Sequence, residues 1–177
     1  SLPLLQLDKK IQHVANGHCE NMAEHLDPTS AETREESFLG HTSSNGDALN
    51  KRFLNGGALF GQAIAENVGY WTRLPFGELR DSSIFGITMM HKGMMAEVPP
   101  NDSHRTTILG PFTHVGIAVC LHSREEAGAN AVFLVTDFAD YSEEEEYMEV
   151  NAANGNTIAP RSVFAALLDQ QQKNAPF

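Results

Sequence analysis

The chain has 177 residues, with 12 Lys and Arg against 23 Asp and Glu, a formal charge of −11, and 41% apolar and 20% charged side chains. That size and composition describe one globular domain able to bury a core without metal or disulfide support, and they exclude disordered and collagen-like chains. The charge disfavours nucleic acid and anionic membrane surfaces, which are gripped through Lys and Arg, and no apolar run reaches the about 18 residues of a membrane-spanning helix.

Ser1 to Leu7 lacks the basic start and apolar length of a signal peptide, as in a mature or trimmed chain. Asp8 to His25 reads as a helix: Ile11, Val14, Ala15, His18 and Met22 fall on one face, Asp8 can cap it, and Asp27-Pro28 ends it. Thr29 to Ser37 is polar and able to open a short helix, and Phe38 to Asp47 reads as a loop. Ala48 to Leu54 follows as a short helix stopped by Asn55-Gly56-Gly57. In Ala63 to Trp71 the expected buried residues are Ile64, Val68, Tyr70 and Trp71. Ser82 or Ser83 should cap a helix to about Val98, with Ile84, Ile87, Met90 or His91, Met94 and Met95 on its apolar side. Pro99-Pro100 stops it, and a new start falls at Ser103.

The period then changes to two. His114 to Leu121 and Ala131 to Phe138 are apolar and β-branched, and the Gly-containing stretch Ser123 to Asn130 joins them as a hairpin. Near-continuous apolar character predicts a sheet covered on both faces. Beyond Tyr141, Glu143 to Glu146 reads as a solvated acidic run, Asn151 to Asn156 as a linker and Pro160 to Gln172 as a last helix. The expected class is α+β, a small antiparallel sheet flanked by helices. Cys19 and Cys120 form one bridge or remain two buried thiols, the commoner state for such residues.

Serine-hydrolase elbows, phosphate loops, His-Glu-x-x-His and Cys-x-x-Cys motifs are absent. Of the eight histidines, His13, His18 and His25 read as helix-surface or half-buried residues, His91 as a packing or rim residue, and His114 and His122 as strand ends. His41 and His104 differ, since each lies in a turn-rich segment of the kind that presents functional groups. Glu66 sits in the apolar stretch Ile64-Ala65-Glu66-Asn67-Val68, and Glu97 follows Met94-Met95-Ala96. A buried carboxylate needs a partner. Two such glutamates and two loop histidines satisfy one another if they converge, and His–carboxylate pairs serve divalent metals or acid–base chemistry.

Six blocks, in order, resemble the CAP superfamily of cysteine-rich secretory, antigen 5 and pathogenesis-related 1 proteins: Phe38-Leu39-Gly40-His41, Leu49 to Phe53, Ile64 to Val68, Asp102 to Leu109, His114 to Val119 and Val135-Thr136-Asp137-Phe138. The likeness covers roughly residues 2–141, which makes 1–141 a CAP-like domain and 142–177 a C-terminal extension. It is to the bacterial, SCP-like extracellular branch. The family's first helix has no counterpart here, and Met94 stands where Trp is usual before the second glutamate.

The resemblance implies an α-β-α sandwich and a cleft in which His41 and His104 hold a divalent metal, zinc above all. Glu66 and Glu97 would orient them, with Asn67 and Ser103 in the cleft wall. It implies a secreted, extracellular or cell-envelope binding or interaction module for a small-molecule, lipid or protein ligand. Two other readings stay open. One is a metal-dependent hydrolase of peptides or esters, with Glu66 and Glu97 as candidate catalytic groups, none of them assigned. The other is a lipid or sterol carrier using Met89, Met90, Met94 and Met95 as an adaptable apolar surface.

Overall fold

The structure, a computed structural model, describes residues 4–25, 40–58, 63–72, 79–124 and 129–141. The readings made of 29–37 and of the stretch beyond 141 lie outside the described residues. In chain order the elements are β1 (Gln6–Leu7), α1 (Lys9–His25), α2 (Leu49–Asn55), β2 (Ile64–Thr72), α3 (Leu79–Met95), α4 (Ser103–Ile108), β3 (His114–Arg124) and β4 (Ala129–Ala139).

The four strands form one sheet in the order β1-β3-β4-β2. β3 and β4 pair as the expected hairpin, and β2 runs antiparallel to β4. The sheet is nevertheless mixed and not wholly antiparallel, because β1 pairs parallel to β3. Two residues are too short to show any period, so β1 was invisible in the sequence.

Strand β4 lies between β3 and β2 and is buried on both sides. Its odd-numbered residues Ala131, Phe133 and Val135 pack with Ala15, Cys19 and Met22 of α1. Its even-numbered Val132 and Leu134 pack with Met90 and Ile87 of α3. This alternation puts α1 and α3 on opposite faces, a helix–sheet–helix arrangement. Phe53 of α2 joins Ile11 and Val14 on the α1 side, and Ile108 of α4 joins Val115 and Phe138 on the α3 side. Strand β3 departs from the expectation of two covered faces: Ile117, Val119 and Leu121 are exposed.

Helix α1 follows its sequence closely. Asp8 caps it, its Oδ1 accepting from the backbone N–H of Lys10 at 2.7 Å and Ile11 at 2.8 Å. Its predicted face is buried, His18 included. The helix lies against β3 at Gly116, where a Cβ would stand 2.3 Å from the Ile11 carbonyl carbon. Cys19 and Cys120 are joined as a disulfide from α1 to β3, correcting the preference for two thiols.

Helix α3 starts earlier than expected, at Leu79, so Ser82 and Ser83 lie inside it and face the core. Met90 and Met94 are buried and Ile87 is half-buried, whereas Ile84 is exposed and outside the contact face. Gly57, at φ +64°, adopts the left-handed conformation just after α2.

Candidate functional site: two histidine–glutamate pairs on one edge strand

Strand β2 is an edge of the sheet, and its consecutive residues Glu66 and Asn67 point to opposite faces. Both are buried. Glu66 turns toward α1 and α2. There its Oε1 accepts from Nδ1 of His41 at 2.9 Å, and its Oε2 is hydrogen-bonded by the Arg52 guanidinium. Arg52 also donates through Nη1 to the carbonyls of His41 at 2.9 Å and Asp47 at 3.0 Å. One guanidinium therefore fixes both the backbone of His41 and the carboxylate that holds its ring. Short helix α2 carries Arg52, and the turn before it is held by Asp47, whose carboxylate takes Lys51, Asn45 and Asn55.

His18 completes this side. It donates from Nε2 to the Gly40 carbonyl at 2.7 Å, faces Ser43 Oγ through Nδ1 at 3.1 Å, and lies 3.8 Å from Glu66 Oε2. It is fully buried, deeper than its reading as a helix-surface or half-buried residue. Its position on the apolar face of α1 was the available signal.

The charges follow from these contacts. Burial raises the Glu66 pKa, but the His41 bond and the Arg52 and His18 charges outweigh burial, and the carboxyl sits below its usual range. The bond to Glu66 raises the His41 pKa, against burial and the Arg52 charge. Burial lowers that of His18, outweighing the pull of Glu66.

The second pair forms at the other face. Glu97, just past α3, accepts from Nδ1 of His104 through Oε1 at 2.5 Å. Its Oε2 takes the backbone N–H of His104 at 3.0 Å and of Arg105 at 3.4 Å. Glu97 thus caps α4, a task that Asp102, the preceding residue, does not perform. The His104 bond holds the Glu97 carboxyl below its usual range. His104 lies within α4, not in an open turn. Asn67 donates to the His104 carbonyl at 3.1 Å. Ser103 is exposed and makes no bond to the pairs among the described contacts.

The four residues singled out in the sequence therefore pair as His41–Glu66 and His104–Glu97, and adjacent residues of β2 hold the two pairs. In each ring the acceptor oxygen draws a proton to Nδ1, so the neutral form keeps its lone pair on Nε2. Neither Nε2 meets a partner among the described residues. Such donors fit a divalent cation chemically, because a carboxylate behind Nδ1 fixes the tautomer that a metal needs. Among the described residues no group of three or more His, Cys, Asp or Glu is placed to hold a metal.

On the α3 side an apolar cavity of about 290 Å³ adjoins Asn67, lined by Ile87, Met94, Ile117, Leu134 and Phe138 among others. Met94 is buried there, while Met89 is exposed on the opposite side of its helix. Arg52 and Asp137, the latter facing Glu66 across the β2–β4 pairing, carried no role in the sequence reading. A charge inside an apolar strand was the signal at Asp137, as it was at Glu66.

Comparison of the chain with protein-family models, with characterised proteins and with solved structures returned no match.

Proposed function

We propose that the chain is a secreted CAP-like domain whose edge cleft binds a divalent metal, zinc first, and works as a binding or interaction module. The observation that carries this reading is the pairing of both candidate histidines through Nδ1 with a glutamate, which turns Nε2 outward. Neighbouring residues of β2 hold the pairs from its two faces, and on this reading the rings share one ion at the free edge of that strand. Glu66 and Glu97 act as orienting acceptors. Glu66 is already committed to Arg52 and His41, and a carboxylate held below its usual range makes a weak base. That favours binding over hydrolysis. Calorimetric titration with zinc tests the reading: the wild type binds one equivalent, and His41→Ala and His104→Ala each weaken binding at least tenfold. Equal affinities in all three remove the site.

The cavity beside Asn67 supports a second reading, carriage of a small apolar ligand, with Met94 as the adaptable wall. An apolar molecule that co-purifies with the protein and is excluded by Leu134→Trp would favour it.

A further inference from the structure

Asp137 lies on β4 directly opposite Glu66 and is fully buried. Neither of its carboxyl oxygens meets a hydrogen-bond donor among the described residues. On its other flank it is paired with Gly116 of β3, which contributes no side chain and is pressed against the α1 backbone at Ile11 and Gln12. The groups that face the pair are Arg52 from α2, His41 from the segment before it, and His18 from α1. Arg52 and His41 bond to Glu66 and His18 lies beside it; none of the three bonds to Asp137. Two buried carboxylates that face one another with no donor between them among the described residues repel, and a second buried negative charge here would have no counter-ion of its own. One proton removes both problems, since an acid O–H is the missing donor and its partner the acceptor.

We propose that Asp137 is the un-ionised acid of an acid–carboxylate pair, donating its O–H to Glu66 and so holding Glu66 against His41. Asp137 is then a positioning residue for the His41 ring, acting through Glu66. The environment agrees: burial pushes the Asp137 carboxyl well above the aspartate range, the charge and hydrogen bond of Glu66 push it further, and only Arg52 opposes. The proton stays on Asp137 because Glu66 has Arg52 and His41 to stabilise its charge and Asp137 has neither. The inference deepens the site reading above and rests on its Glu66–His41 pairing, not on metal binding. Failure to bind zinc would leave it standing.

The test is carboxyl carbon and imidazole nitrogen NMR on the wild type, Asp137→Asn and Asp137→Val, at neutral pH and without metal. The wild type should show one protonated carboxyl, and Asp137→Asn should lose that resonance. The His41 Nδ1–H signal should persist in Asp137→Asn, where the amide N–H replaces the acid as donor, and be lost in Asp137→Val. A wild type with every carboxyl ionised would overturn the proposal. So would a folded Asp137→Val with an unchanged His41 signal. If Asp137→Val does not fold, the carboxyl spectra of the wild type and Asp137→Asn decide.

Discussion

Arg52, His41 and His18 meet around the carboxylate of Glu66, and that crowding decides what its replacement costs. Glu66→Gln keeps the shape but leaves the buried Arg52 guanidinium without its counter-charge, a loss of about 3 kcal/mol in denaturant unfolding at neutral pH. The pH dependence has a definite sign. The folded-state pKa of Glu66 is depressed, so its contribution is complete above the ordinary glutamate range and disappears as pH falls through the folded value. The difference between wild type and Glu66→Gln should therefore be largest near neutrality and shrink toward zero in acid. A constant difference would mean that Glu66 acts only by packing. His18 and His41 work in opposite directions around the ordinary histidine range: the lowered value of His18 costs stability on acidification, and the raised value of His41 returns some. At this scale the glutamate was legible because a charge in an apolar run demands a partner. The partner's identity was not, since Arg52 and His18 sit on helices whose packing no local pattern specifies.

Elements were legible where their period was long. Helix α1 carries four turns of apolar spacing behind an Asp cap, and the β3–β4 hairpin carries a clean change to period two. The start of α3 was missed because Ser82 and Ser83 look like caps yet lie buried inside the helix. The cap of α4 was missed because it comes from Glu97, five residues before the adjacent Asp102. Helix α1 lies close against β3 at Gly116. Gly116→Ala would drive a Cβ to 2.4 Å from the Gln12 backbone nitrogen, where no flexible side chain can yield. It should cost about 3 kcal/mol or more and loosen α1, seen as a lower unfolding midpoint and faster amide exchange in that helix. Unchanged exchange in α1 would show that the contact relaxes freely.

Over the whole molecule, the disulfide ties α1 to β3 across a sequence separation of 101 residues. Closing a loop of that length stabilises by about 4.7 kcal/mol in the chain-entropy model, so reduction, or Cys19→Ser with Cys120→Ser, should lower the unfolding midpoint strongly while the sheet core persists. A midpoint that does not move would mean the helix–sheet packing alone sets stability. The layered α+β arrangement followed from sequence periods. The mixed sheet and the uncovered face at Ile117, Val119 and Leu121 did not, because strand order and coverage are set by contacts between distant segments. The same holds for the site: the residue types were readable, and their pairing as His41–Glu66 and His104–Glu97 is a property of the folded chain.

Zinc titration followed by imidazole nitrogen NMR tests most directly the proposal that the two pairs share one ion. Before metal, His41 and His104 should both carry the proton on Nδ1, and the two Nε2 resonances should then shift together and saturate at one equivalent. Resonances that respond at different zinc concentrations, or only one that responds, would contradict a single shared cleft.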